Sequence, residues 1–108
     1  MQKFSDTLAS LDSVDHIARI ELLDTNGRIV GTIENKPGSA GSVKLYHHLW
    51  KKYGSLNLEA ATDGLDLYAE HTDDAADNPG KHPNIDRLFE IVASNQELTM
   101  QIVPQTLH

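Results

Sequence analysis

The chain has 108 residues, 39% of them hydrophobic and 23% charged, with 7 glycines and 4 prolines. That is the make-up of one folded domain, and it excludes a disordered tail or a low-complexity linker. With no cysteine at all, disulfides, thiolate metal sites, iron–sulfur clusters and cysteine nucleophiles are excluded, and a reducing cytoplasm is the expected location.

Sixteen acids against nine bases give a net charge of −7, which argues against general nucleic-acid binding. The start, Met1-Gln2-Lys3-Phe4-Ser5-Asp6, has no apolar signal region, and no apolar run approaches the roughly 18 residues of a membrane span.

The first element in chain order is a short helix on Phe4, Leu8 and Leu11, with Ser5-Asp6 at its start. Residues 17–33 read as a hairpin. Ala18, Ile20 and Leu22 alternate with Arg19 and Glu21, Asp24-Thr25-Asn26-Gly27 supplies the turn, and Ile29 and Ile33 resume the pattern. Asn-Gly offers the positive φ angles that tight hairpins need. One face then carries Ala18, Ile20, Leu22, Ile29 and Ile33, and the other, with Arg19, Glu21, Arg28 and Thr32, meets water.

Asn35-Lys36-Pro37-Gly38-Ser39-Ala40-Gly41-Ser42 is loop. It leads into a helix over 43–53, with Ser42 as its N-cap, a stripe of Leu45, Tyr46, Leu49, Trp50 and Tyr53, and Gly54 just past its end. A second helix is expected over 58–76 (Leu58, Ala61, Leu65, Tyr68, Ala69, Thr72), with Gly64 costing about 1 kcal/mol relative to alanine. Asn78-Pro79-Gly80 stops it.

A third helix, 84–94, starts near His82-Pro83-Asn84 and carries Ile85, Leu88, Phe89 and Val92. Residues 97–103 form a last strand with Leu98, Met100 and Ile102 inward. The order α-β-β-α-α-α-β makes this an α+β protein, a small mainly antiparallel three-stranded sheet with helices over one face. Residues 1–108 form a single domain. The hairpin strand that pairs with the last strand is left open.

Charge is segregated. Between Glu59 and Asp77 lie Glu59, Asp63, Asp66, Glu70, Asp73, Asp74 and Asp77 with no base, whereas 36–52 holds Lys36, Lys44, Lys51 and Lys52 with no acid. Two solvated helix faces explain this plainly, and exposed pairs between them are worth about 0–1 kcal/mol each. The sharper reading is an electropositive corner in an acidic protein.

Two constellations could carry chemistry. In the first, a strand enters a Gly-Ser loop that opens a helix, and the amides and dipole of such a terminus suit phosphate or carboxylate. Lys36, Ser39, Gly41, Ser42 and Lys44 are its candidate ligand-binding residues. The spacing is neither a Walker loop nor a dinucleotide fingerprint, and the plainer alternative is a connector with a capped helix after it.

The second is Glu70-His71-Thr72-Asp73-Asp74 with Lys81-His82-Pro83-Asn84-Ile85-Asp86-Arg87. Histidines and carboxylates on both sides of a short turn suit a divalent metal, with His71, Asp73 and His82 as ligands, or an acid–base pair. The spacing matches neither His-Glu-x-x-His nor a calcium loop. The plainer alternative is helix ends capped by His82 and Asp86. His47 and His48 are adjacent on a helix and cannot chelate together, and both are expected at the surface. Trp50 and Tyr46 are expected in the core.

Two strings carry a resemblance: the run 35–42 followed by Tyr46-His47, and Tyr68-Ala69-Glu70-His71-Thr72 leading to Pro79-Gly80-Lys81-His82-Pro83-Asn84-Ile85-Asp86-Arg87-Leu88. They resemble a family of small uncharacterised bacterial proteins of about this length, a domain of unknown function. The resemblance implies a stand-alone bacterial cytoplasmic protein and brings no activity, cofactor or catalytic residue.

The leading reading is therefore a non-catalytic binding module holding a small anion or an acidic protein partner at the 35–44 loop, with no cofactor. Its rivals are a metal-assisted or acid–base enzyme using His71, Asp73, Asp74, His82 and Asp86, and an immunity- or inhibitor-type protein with an acidic binding face over 59–77.

Overall fold

The computed structural model describes residues 3–106, so Met1 and Gln2 of the start discussed above lie outside it. Its elements are α1 (Phe4–Ser10), β1 (Ile17–Leu23), β2 (Ile29–Glu34), α2 (Ala40–Tyr53), α3 (Leu58–Leu67), α4 (Glu70–Asp77), α5 (Pro83–Ser94) and β3 (Thr99–Pro104). The fold is α+β, with an antiparallel sheet in the order β2-β1-β3. The last strand joins β1 on the side away from β2, so β1 is central.

The register explains the buried face. Ile33, Ile20 and Ile102 form one cross-strand row, and Gly31, Leu22 and Met100 the next. Ile20, Leu22, Ile33 and Met100 are buried, whereas their neighbours Thr32 and Gln101 are exposed, as a sheet covered on one side requires.

The hairpin turn differs from the Asn-Gly expectation. Asp24 accepts from the amides of Asn26 and Arg28 through Oδ1 and from Gly27 through its carbonyl, and within the turn the left-handed backbone falls on Gly27 alone (φ 80°). The pairing then slips by one residue: Leu22 faces Gly31, but Leu23 faces Ile29. This bulge moves Ile29 off the core face, and the residue is 56% exposed instead of buried. A second irregularity between Ile17 and Arg19 puts Ile17 in the core, while Ala18 is only partly buried.

Helix α2 begins at Ala40, three residues before the expected start, and Ser42 is not its N-cap. Ser39 occupies the boundary. Its hydroxyl donates to the Glu34 carbonyl, and the Lys36 carbonyl accepts from the amides of Ser39 and Ala40. The strand end thus fixes where the helix starts.

The expected helix over 58–76 is two helices. Asn57 caps α3 by accepting from the Ala60 amide at 2.9 Å, and the run ends at Tyr68. Ala69 then takes φ 54°, ψ −120° before α4 begins. Such a backbone costs an L-residue about 1–3 kcal/mol. Glycine would relieve it, minus about 0.4–1 kcal/mol for its freer unfolded chain. Ala69→Gly is therefore expected to raise stability by about 1 kcal/mol, read from the urea midpoint. A lower midpoint would show that this backbone carries no strain.

Gly64 lies where α3 crosses its neighbours. A β-carbon there would stand 2.8 Å from Leu88 Cδ1 and 3.0 Å from Leu49 Cδ1, so the helix-weakening glycine is the residue that permits close packing. Leu45, Tyr46, Leu49, Leu56, Leu88 and Ile20 are fully buried, with Leu65 partly so. Three apolar stripe residues fall outside the core: Trp50 is 37% exposed, and Leu58 and Val92 are each 40% exposed.

His47 reverses its expectation. It is only 7% exposed, stacked on Trp50 and edge-on to His16, and burial lowers its pKa, with His16 and Lys51 adding to the shift. Among the described residues no helix is long and apolar enough to cross a membrane.

Candidate functional site

Parts of the two constellations separated in the sequence meet at one cavity of about 420 Å³. The start of α2 contributes Gly41 and Ser42, the α3–α4 junction contributes Tyr68 and His71, and the approach to α5 contributes Lys81 and His82. Phe4 from α1 closes one side.

The α2 end is polar for a definable reason. Val43 donates to the Ser39 carbonyl, and Ala40 to that of Lys36. The amides of Gly41 and Ser42 lie between these and take no backbone acceptor, the usual state of a helix's first turn. Leu8 and Phe4 pack so close to Gly41 that an added β-carbon would sit 3.1 and 3.4 Å from them. The Ser42 hydroxyl accepts from Tyr68 at 2.7 Å, and burial keeps the Tyr68 phenol well above its ordinary pKa. It remains a neutral donor.

The aromatic side is a run of contacting rings. Phe4 stacks on Tyr68 at 5.1 Å and meets His71 edge-on at 5.1 Å, and His71 lies 5.8 Å from His82. The Phe4 amide donates to Glu70 Oε1 at 2.8 Å, which fixes the start of α1 and, as the largest cause, depresses the Glu70 pKa.

His82 Nε2 lies 2.6 Å from Asp74 Oδ2, and Lys81 Nζ lies 3.2 Å from the same oxygen. These two partners hold the Asp74 carboxyl below its usual range, His82 contributing most. Asp74 itself does not line the cavity.

The chain matches the family model DUF2322, described as an uncharacterized protein conserved in bacteria, over residues 4–102. It belongs to this family. No curated protein and no solved structure matches it. The matched span of this DUF2322 protein includes every residue of the cavity named above, Phe4 among them.

Of the residues singled out in the loop, only Gly41 and Ser42 line the cavity. The Ser39 hydroxyl is used within the loop, Lys36 is exposed, and Lys44 lines two clefts elsewhere. In the second set, His71 and His82 come together across the Asn78-Pro79-Gly80 turn, as their spacing implied. Asp73 is exposed and lines no part of the cavity. Asp86 accepts from the Gly80 amide at 2.9 Å and borders a different cleft.

Among the described residues no group of three or more histidine, aspartate or glutamate side chains is arranged to hold a metal ion. Phe4 and Tyr68 line the cavity without any local sequence signal, because their neighbours do not distinguish a cavity wall from a core residue.

The acidic stretch 59–77 is spread over α3, the junction and α4, and part of its charge is engaged internally. Asp63 takes Lys52 at 3.0 Å and the Tyr53 hydroxyl at 2.9 Å. Glu70 holds the Phe4 amide, and Asp74 holds His82 and Lys81.

Proposed function

We propose that this protein binds a small anionic ligand in the cavity between the start of α2 and the turn before α5. One observation carries the reading. In a chain of net charge −7, this cavity is bordered by a lysine, two histidines and the first turn of a helix, and among the described residues by no carboxylate. Amides at a helix start and a nearby ammonium complement negative charge, and 420 Å³ is the size of a small-molecule site.

The anion would sit at the Gly41 and Ser42 amides, with Lys81 as counter-charge and His71 and His82 as further donors. Lys36 and Lys44, the cations nearest in sequence, take no part.

Inorganic phosphate is expected to bind at about millimolar affinity, equivalent to about −4 kcal/mol. Titration followed by amide NMR should shift residues 40–42, 71, 81, 82 and 84. Lys81→Met should weaken binding by about five- to tenfold, the loss of one charge-assisted contact of about 1–1.5 kcal/mol, while Lys36→Ala leaves it unchanged. Shifts scattered over every basic residue, or equal losses in both variants, overturn the reading.

A second reading, acid–base catalysis, is favoured by the 2.6 Å contact of Asp74 with His82. A carboxylate on one ring nitrogen fixes the tautomer and leaves the other nitrogen to exchange protons. A metal-assisted form would use His71 and His82, with the remaining donors from ligand or solvent. Ester hydrolysis lost in His82→Gln, or uptake of zinc by the purified protein, would promote this reading over simple binding.

A further inference from the structure

Resting on the anion reading, we infer that the ligand carries its anionic group on a planar aromatic or heteroaromatic ring, and that Phe4 of α1 selects for that ring. A bare inorganic anion leaves most of a 420 Å³ cavity unfilled. The rest of the wall is suited to a flat apolar body. The chain has only two phenylalanines and three tyrosines, yet Phe4 and Tyr68 both border this cavity, beside the imidazoles of His71 and His82 and the ring of Pro83.

Phe4 is also held in place for the task. Its ring is partly exposed, stacked on buried Tyr68 with 25° between the planes, and its amide is tied to Glu70. A ring on the ligand would continue this stack in offset or edge-on contact, the arrangement aromatic pairs prefer. The polar groups stand on the other elements bordering the cavity, so a ligand with an anionic end and a flat end can meet both at once. An aliphatic ligand of equal charge meets only the first.

Three probes separate the possibilities: inorganic phosphate, phenyl phosphate and glycerol 2-phosphate, each titrated into the full chain by NMR at low salt. Base-on-aromatic stacking in other proteins sets the expected scale, so phenyl phosphate should bind at least tenfold more tightly than inorganic phosphate, and glycerol 2-phosphate should not. In Phe4→Leu, which keeps an apolar side chain against Gly41 and Tyr68, the preference for phenyl phosphate over inorganic phosphate should fall to less than threefold.

The amide spectrum of Phe4→Leu reports whether α1 remains packed. If it does not, Phe4→Tyr, which keeps the ring and should keep the preference, carries the comparison. Equal affinity for the three probes, or a preference that survives Phe4→Leu with α1 in place, overturns this inference and leaves the anion site standing. No binding of any probe overturns the anion reading itself.

Discussion

Leu88→Ala is expected to lower the unfolding free energy by about 2–5 kcal/mol, a large fraction of the roughly 5–15 kcal/mol that holds a domain folded. Leu88 is fully buried, and its Cδ1 occupies the space in front of Gly64, where α3 meets α5. Truncation leaves a cavity that two helices backed by the sheet cannot close. Val92, one turn further along the same helix and 40% exposed, provides the contrast: Val92→Ala should change stability by less than about 0.5 kcal/mol.

A coupled test uses Gly64→Ala. In the native background a new methyl group meets Leu88 and Leu49, and overpacking of about 1–3 kcal/mol opposes a helix-propensity gain of about 1 kcal/mol. In the Leu88→Ala background the Leu88 obstruction is gone and space has opened. Gly64→Ala should then stabilise by about 1 kcal/mol. Additive effects of the two substitutions in urea denaturation would show that these residues do not touch.

What could be read from the sequence follows from which interactions are local. The hairpin, the stripes of α2 and α5 and the alternation of 97–103 are signals that a few neighbouring residues generate among themselves, and each is an element of the fold, although Ile29, Trp50 and Val92 stand outside the core. The misreadings all involve a decision made at a distance. Ser42 reads as the cap from its neighbours alone, but the Glu34 carbonyl accepts from the Ser39 hydroxyl at the helix boundary and Ser42 accepts from Tyr68.

No glycine or proline marks the break at Ala69. Cross-strand pairing, not the alternation of β2 itself, turned Ile29 outward. The candidate site behaved the same way. His71 and His82 were legible as a pair because a short turn separates them. Phe4, more than sixty positions earlier in the chain, reaches the same cavity only because α1 folds across Gly41.

Tyr46 should be the residue that joins stability to the site. It is fully buried in α2, its hydroxyl donates to the Asn84 carbonyl, and it accepts from Arg87 Nη1 at 3.2 Å. The same Arg87 nitrogen donates to Asn84 Oδ1 at 3.0 Å, and the guanidinium lies beside Gly31, where an added β-carbon would come within 2.9 Å of it. Burial pushes the phenol up to about 12, so the hydroxyl stays protonated and serves both partners across the physiological range.

Tyr46→Ala should cost about 3–5 kcal/mol through lost packing, as for other large aromatics. Tyr46→Phe keeps the ring and removes only the oxygen, which costs the Asn84 carbonyl and one Arg87 donor a shared part-buried partner at about 0.5–1.5 kcal/mol per hydrogen bond. The Phe variant separates fold from function. Asn84 and Pro83 line the cavity, and the hydroxyl is one of the contacts that hold the start of α5 against α2.

Tyr46→Phe should therefore remain folded, lower the urea midpoint, and weaken phosphate binding by several-fold, with the largest amide changes at 82, 84 and 85. If its midpoint and its phosphate affinity both match the native protein, the hydroxyl does not organise this corner, and the cavity wall is held by the packing of Ile85 and Leu88 alone.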